Sequence, residues 1–218
     1  MTVNQAPQTL SDSSADSERM TLRDLIVWAG IPLVIVLFLR LFIIGVYEIP
    51  SASMATTLQV GDRVVASKLT PRFFEIKRGD IVIFKDPNNW LGETTKSNLL
   101  IKRVIGLPGD TVACAGAGQP VTVNGHAIDD SAFIRAGVNP SDYAFSVTVT
   151  DDHLFVMGDN RSNSADSRVH QGDGDHGLVP VNDVQGVAFA IYWPISHWST
   201  LNRPDDAFAN VGGVEGAK

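Results

Sequence analysis

The sequence has little of what marks several large classes of protein. Its 218 residues include one cysteine, Cys114, which excludes an internal disulfide and a zinc site built from cysteines. Seventeen lysines and arginines against 24 acidic residues give a net charge of −7. This charge argues against nucleic acid as a partner, because basic side chains supply most of the affinity for phosphate. Only one long apolar run is present, so several membrane spans are not indicated.

The apolar run extends from Leu25 to Tyr47 and contains a single charge, Arg40. At helical rise it would span roughly 35 Å, which is enough to cross a bilayer. A cleavable signal peptide has a shorter apolar region, and the core helix of a soluble domain is rarely so uniformly apolar. The run therefore predicts one transmembrane helix over residues 25–47.

The segments at the two ends of the chain are polar. Residues 1–24 are predicted to form a flexible cytoplasmic tail, and residues 202–218 a flexible C-terminal tail. Arg19 and Arg23 precede the apolar run, whereas Arg63 is the first cation after it. This asymmetry favours a single-pass protein of the cell membrane with a cytoplasmic N-terminus, so that the bulk of the chain, including residues 48–201, would be extracytoplasmic.

Residues 48–201 contain short β-branched runs separated by glycine, proline and asparagine. Asn124-Gly125 after one such run indicates a hairpin with a type I′ turn. The pattern predicts a mainly β domain following the membrane helix. The predicted strands are Arg63–Ser67, Asp80–Phe84, Leu99–Ile105, Val121–Val123, Phe145–Val149, His153–Met157 and Val187–Tyr192.

Ser51 and Ser53 follow the apolar run within a few residues. On an extended segment two serines at i and i+2 point the same way, so one hydroxyl could attack a carbonyl while the other helps to hold the oxyanion. A nucleophile close to the bilayer suits a substrate that is itself held in the membrane. A serine-rich juxtamembrane linker is the plainer interpretation of the same residues.

Lys102 lies in a strongly apolar strand segment, on one face with Leu100 and Val104, while Arg103 points to the other face. This alternation predicts that only one of the two cations is desolvated. A desolvated lysine has a lowered pKa and could act as a general base near neutral pH. The alternative is an edge-strand pair facing solvent.

A third segment, Gly158 to Arg168, is dense in groups that hydrogen-bond one another. Its spacing lacks the glycine and terminal glutamate of an EF-hand, and two arginines within it would repel a cation. It indicates a polar scaffold around a site, in which Ser164 could aim a neutral lysine. An exposed polar loop is the alternative.

Together these segments resemble the bacterial type I signal peptidase family, whose members are serine-lysine peptidases. The shared boxes are Ser51-x-Ser53-Met54, Gly61-Asp62, Arg78-Gly79-Asp80, Lys102-Arg103 to Gly109-Asp110, and Gly158 to Arg168. They occur in family order behind a membrane anchor.

The resemblance implies that Ser53 is the acylated nucleophile and Lys102 the general base. Ser51 with the Ser53 N–H would form the oxyanion hole, and Ser164 would orient the lysine. Structural support would come from Asp159, Arg161, Asp166, Arg168 and Arg103. No metal or cofactor is implied.

The resemblance also implies which partners the chain would have. They would be the signal peptides of exported preproteins, bound by strand addition with small side chains at −1 and −3, the lipid bilayer, and the protein-export machinery. Ala52 and Thr56 depart from the family, where glycine and proline are usual. The candidate pocket-lining residues are Ile49, Pro50, Leu58, Leu100 and Ile101.

Three rival interpretations remain open at this point. A Ser-His-Asp hydrolase could use His153, His170 or His176, although the sequence has no Gly-x-Ser-x-Gly elbow. A repressor-type autoprotease would carry a DNA-binding module in place of the apolar run. A catalytically dead binding module should have lost Ser53 or Lys102, and both are present.

Overall fold

The computed structural model describes residues 21–92 and 97–212. The chain divides into two units, residues 1–38 and residues 39–218. Residues 1–20 and 213–218, which belong to the predicted tails, lie outside the described residues.

Helix α1 spans Arg23–Ile43 and is long and apolar enough to cross a membrane. Its large apolar side chains are exposed, including every one from Ile31 to Phe38. Such a surface is unfavourable in water and favourable in hydrocarbon. The helix begins close to the predicted start but ends four residues before the predicted end.

Residues Ile44–Glu48 form strand β1 rather than the last turn of the helix. They pair with strand β2, Arg63–Ser67, over five residues from Ile44↔Ser67 to Glu48↔Arg63. The backbone groups of this segment are thereby satisfied by a distant part of the chain, which a local apolar pattern does not reveal. Tyr47, expected at the helix end, therefore lies in a strand.

The larger sheet has eight strands among the described residues, and all of its pairs are antiparallel. The order is β1-β2-β11-β3-β4-β9-β10, with β12 paired to β11. The remaining bounds are β3 Ile81–Lys85, β4 Leu99–Gly106, β9 His153–Met157, β10 Val179–Pro180, β11 Val184–Trp193 and β12 Ser199–Thr200.

The smaller sheet contains four strands in the order β7-β6-β5-β8. Asn124 and Gly125 both have positive φ, at 53° and 80°, as the predicted type I′ hairpin requires. The strands are β5 Thr111–Cys114, β6 Val121–Val123, β7 His126–Ala127 and β8 Phe145–Thr148.

After Ile43 the described helical segments are short 3₁₀ turns: Ala52–Met54, Asp130–Ala132, Val181–Asp183, Ile195–His197 and Asp205–Phe208. The mainly β prediction is confirmed. Strand β4 is buried on both faces, because it runs through the middle of the larger sheet between hydrophobic clusters. This double burial is what places charged residues of β4 in the interior.

The C-terminal segment corrects one expectation. Residues 202–218 were predicted to be a flexible tail, but Ala207, Phe208 and Val211 are buried in the core shared by the smaller sheet and β9. Their spacing puts three apolar side chains on one side of a short turn, and the polar residues around them masked this signal. The prediction is wrong for residues 202–212.

Phe208→Ala is predicted to lower the free energy of unfolding by about 3 kcal/mol, because it removes a large buried side chain and leaves a cavity. Urea denaturation of the detergent-solubilised protein measures the change. Phe73→Ala is the matched control: Phe73 is 71% exposed, and its loss should alter stability by less than about 0.5 kcal/mol. Equal effects of the two variants would contradict the packing described for the C-terminal segment.

Candidate active site

Ser53 lies in a 3₁₀ turn, Ala52–Met54, that follows strand β1 by a short extended link. Ser51, at φ −132° and ψ 159°, is extended, whereas Ser53 is within the turn. Their hydroxyl oxygens are 3.3 Å apart. The two hydroxyls therefore converge as expected, but through a turn rather than through strand periodicity.

Asn160 fixes the backbone on which Ser53 stands. Its N–H donates to the Ser53 carbonyl at 3.0 Å, and its side-chain Nδ2 donates to the Ala52 carbonyl at 2.9 Å. The sequence placed Asn160 in a polar scaffold but gave it no role, since a backbone acceptor 108 residues away has no sequence signal. The polar scaffold thus holds the loop that carries Ser53 through two hydrogen bonds to its backbone.

Lys102 projects from β4 towards this loop, and its side chain is almost fully buried. Its Nζ lies 2.7 Å from Ser53 Oγ and 3.1 Å from the Ile101 carbonyl. Burial lowers the pKa of Lys102 to about 8, against the opposing charges of Asp166 and Asp159. A useful fraction of the amine is therefore neutral near physiological pH and able to accept a proton.

Arg103 corrects the expectation that only one of the two cations is desolvated. It is as buried as Lys102, at 2% exposure. Its guanidinium binds the Asp159 carboxylate at 2.8 and 2.6 Å and the Gly79 carbonyl at 2.8 Å. Both faces of β4 are covered, so alternation along the strand does not bring Arg103 to solvent. A bidentate partner replaces the water that the charge has lost.

A second buried pair joins Asp166 and Arg168, at 2.9 and 2.8 Å. Burial alone would raise the pKa of Asp166, but the hydrogen bonds and charge of Arg168, aided by the Gly158 N–H, hold that pKa below its usual range. The carboxylate is therefore ionised. Each of the two acids that face Lys102 thus has its own arginine.

Ser164 lies near the site, but its hydroxyl is not hydrogen-bonded to Lys102. Its Oγ is buried close to Gly158, where an added Cβ would lie 2.3 Å from it and 2.4 Å from the Ser53 carbonyl. The hydrogen bonds of Lys102 Nζ are to Ser53 and Ile101, not to Ser164. The orienting role of Ser164 therefore stays a prediction.

A cavity of about 510 Å³ runs beside Lys102 and Ser51. Four of the five predicted pocket residues line it, namely Ile49, Pro50, Leu100 and Ile101. Leu58 does not, because it is fully buried in the core beneath the loop. The lining residues that the sequence did not single out are Val46, Tyr47, Glu48, Ile83, Leu91, Ser97 and Leu99.

The candidate histidines of a Ser-His-Asp site lie elsewhere. His153 Nδ1 contacts the Asp151 carbonyl and Thr150 Oγ1, and the His170 ring stacks on Trp90 at 4.4 Å. Within residues 21–92 and 97–212, no histidine ring, that of His176 included, is hydrogen-bonded to a serine hydroxyl. The geometry therefore disfavours a histidine base.

Thr56 adopts a φ of 139°, in a region that side chains rarely occupy. A proline ring fixes φ near −65°, so the proline usual in the resembled family could not take this conformation. Ala52, the other departure, is partly exposed and leaves the Lys102–Ser53 contact in place.

Comparisons with known proteins show what this chain is similar to. A model of the family described as signal peptidase, peptidase S26, matches residues 22–193. A signal peptidase I of Leptolyngbya laminosa is 35% identical over 202 residues, covering 91% of this chain and 92% of the relative. That of Mycobacterium tuberculosis strain H37Rv is 34% identical, covering 88% of this chain and 79% of the relative. A crystal structure of a signal peptidase I from Enterococcus faecalis is 29% identical, covers 52% of this chain and 97% of its own, and has a TM-score of 0.39.

Lys102→Met is predicted to raise the free energy of unfolding at pH 7 by about 3 kcal/mol, since each pKa unit corresponds to about 1.4 kcal/mol. The folded-state pKa of Lys102, about 8, lies below the value of 10.5 that is usual for a lysine in water. The unfolded chain therefore binds more protons between these values, and wild-type stability should rise with pH across this window. The gap between variant and wild type should shrink towards pH 10.

Urea denaturation between pH 6 and pH 10 measures this gap. Lys85→Met serves as the control, because Lys85 is exposed on β3. A gap for Lys102→Met that stays constant with pH would show that the amine is not desolvated.

Proposed function

This chain belongs to the signal peptidase family, peptidase S26, and on that basis we propose that it is a serine endopeptidase that removes N-terminal signal peptides from exported preproteins. The observation that carries the proposal is the 2.7 Å contact between the buried amine of Lys102 and the hydroxyl of Ser53. An activated nucleophile needs a base within hydrogen-bond reach, and this pair meets that requirement.

In the proposed mechanism neutral Lys102 takes the proton from Ser53 as Oγ attacks the scissile carbonyl. Collapse of the tetrahedral intermediate breaks the peptide bond, and the Lys102 ammonium gives its proton to the leaving amine. The signal peptide then remains as an ester on Ser53. Water, deprotonated by Lys102, hydrolyses the ester and restores the serine.

The oxyanion would be held by Ser51 Oγ and the Ser53 N–H. The 3.3 Å separation of the two hydroxyls supports this, because a donor to the oxyanion must lie beside the attacked carbon. Ser164, buried against Gly158, would orient the lysine once substrate binding rearranges the hydrogen bonds around Nζ. Asp159, Arg161, Asp166 and Arg168 would hold the surrounding scaffold.

The substrate would bind along strand β4 by strand addition. On one side Leu99–Lys102 pairs with β3, while β9 begins its pairing only at Arg103. The other side of Leu99–Lys102 thus has no strand partner among the described residues, and it borders the 510 Å³ cavity. An extended peptide could pair with this edge and turn alternate side chains towards Ile49, Pro50 and Ile101. We infer small residues at −1 and −3.

Helix α1 would anchor the enzyme in the cell membrane as a single span, with the N-terminus in the cytoplasm and the catalytic domain outside. Its length, apolar composition and exposed side chains support a lipid environment. Anchoring would place Ser53 near the bilayer surface, where a signal peptide emerges. The export machinery that delivers preproteins would be a further partner.

A preprotein with alanine at −1 and −3 is predicted to be cut after the −1 residue by the full chain in proteoliposomes. Ser53→Ala and Lys102→Ala should each abolish detectable cleavage, because nucleophile and base act as one unit. Ser51→Ala should lower kcat by about 100-fold, the effect of removing one oxyanion donor. Gel shift and N-terminal sequencing of the product provide the readout.

Ser146→Ala and Lys85→Ala are the matched controls, since both side chains are exposed and neither lines the cavity. They should cleave like wild type. Normal cleavage by Ser53→Ala or Lys102→Ala would refute the serine-lysine mechanism. Failure of the wild-type protein on several preproteins would refute the proposed activity.

A further inference from the structure

Two buried arginines of the candidate site contact the same aromatic ring. The guanidinium carbons of Arg103 and Arg161 lie 4.5 Å and 5.6 Å from the centroid of Phe133. Phe133 is 3% exposed and comes from the connection between β7 and β8 of the smaller sheet. A desolvated guanidinium gains from an aromatic face, because water no longer competes for the charge.

The same connection supplies a charge partner. Asp130, three residues before Phe133, binds Arg161 Nη1 at 2.7 Å, and the Pro140 carbonyl accepts from the same nitrogen at 2.9 Å. The neighbouring Asp129 N–H donates to the Ala207 carbonyl at 3.0 Å. The C-terminal segment therefore holds this connection in place from the other side.

The charges that face Lys102 make the position of Arg103 important. The charges of Asp159 and Asp166 both favour the protonated form of the Lys102 amine. The charge of that amine in turn disfavours protonation of His170. Arg103 pairs with Asp159, and Arg168 pairs with Asp166. The compensation of one acid thus depends on Arg103, which Phe133 covers.

Phe133 and Arg103 also line a small cavity together. This cavity of about 180 Å³ is lined by Thr57, Arg103 and Phe133 together with residues near the C-terminus. A smaller or non-aromatic side chain at position 133 would enlarge the space next to Arg103. Water entering there would screen the Arg103–Asp159 pair and leave the charge of Asp159 less compensated.

We propose that Phe133 is a positioning residue for the reaction. Its ring keeps water away from Arg103 and Arg161, holds each paired with its carboxylate partner, and so keeps Lys102 available as a base. The inference deepens the proposed function and rests on it for the role of Lys102. It assigns to the smaller sheet, which supplies none of the predicted catalytic side chains, a part in setting the protonation state of the site.

Phe133→Leu keeps an apolar side chain but removes the aromatic face. The pKa of Lys102 is expected to rise by on the order of half a pH unit, because weaker compensation of Asp159 favours the ammonium. Phe145→Leu is the matched control. Phe145 is 7% exposed in the same core cluster, and its ring stacks on Phe155.

The test is a ¹³C NMR titration of the full chain in detergent with lysine labelled at Cε, the Lys102 signal being assigned with Lys102→Ala. The acid limb of kcat/KM on a signal-peptide substrate is measured in parallel. The proposal expects both to move upward in Phe133→Leu and to stay in Phe145→Leu. Phe133→Tyr, which keeps the ring, should titrate like wild type.

An equal shift in Phe133→Leu and Phe145→Leu, or no shift in either, would overturn the proposal, as would a Phe133→Tyr shift as large as that of leucine. If Phe133→Leu does not fold, Phe133→Met is used, which also lacks the aromatic ring and should shift Lys102 in the same direction; no shift there counts against the proposal. The NMR arm does not depend on cleavage. An inactive wild-type protein with the expected Lys102 shifts would therefore refute the proposed function but not the positioning role.

Discussion

A primary amine held out of water beside a serine hydroxyl is the constraint on which the rest of this structure depends. Burial makes the charged form of Lys102 costly, and that cost is what gives the amine a pKa of about 8, as the proposed base requires. The same burial makes any uncompensated charge nearby equally costly. The surroundings of the Lys102–Ser53 pair therefore have to be dry, well packed and balanced in charge.

The fold meets these requirements with paired ions rather than with a wholly apolar interior. Asp159 and Asp166 approach the lysine, and each is bound by a buried arginine, Arg103 or Arg168. Breaking one such pair would leave a charge stranded in the interior, which costs about 3–5 kcal/mol. The arrangement thus fixes the geometry of the site and tunes the lysine at once. Asn160 adds the link to the serine loop through two backbone carbonyls.

Parts of the chain that contribute no predicted catalytic side chain still close this interior. The connection between β7 and β8 of the smaller sheet contains Asp130 and Phe133, which contact the buried arginines. The C-terminal segment packs against that connection through Ala207 and Phe208. Removing solvent from a charge requires cover on every side, which a single sheet with one exposed face cannot give. The smaller sheet and the C-terminal segment therefore exclude solvent from the buried arginines.

The sequence by itself determined the apolar span, the β character of most later segments and the serine and lysine at the centre, because each of these leaves a local signal: a long apolar run, β-branched runs between turn residues, and a charge amid apolar neighbours. The end of the helix, the burial of Arg103 and the packing of Phe208 were decided only in the tertiary structure. Each depends on a partner distant in the chain, namely β2 for Ile44–Glu48, Asp159 for Arg103 and the shared core for Phe208. Local pattern records what a residue prefers, whereas burial and pairing depend on which distant residues the fold brings to it.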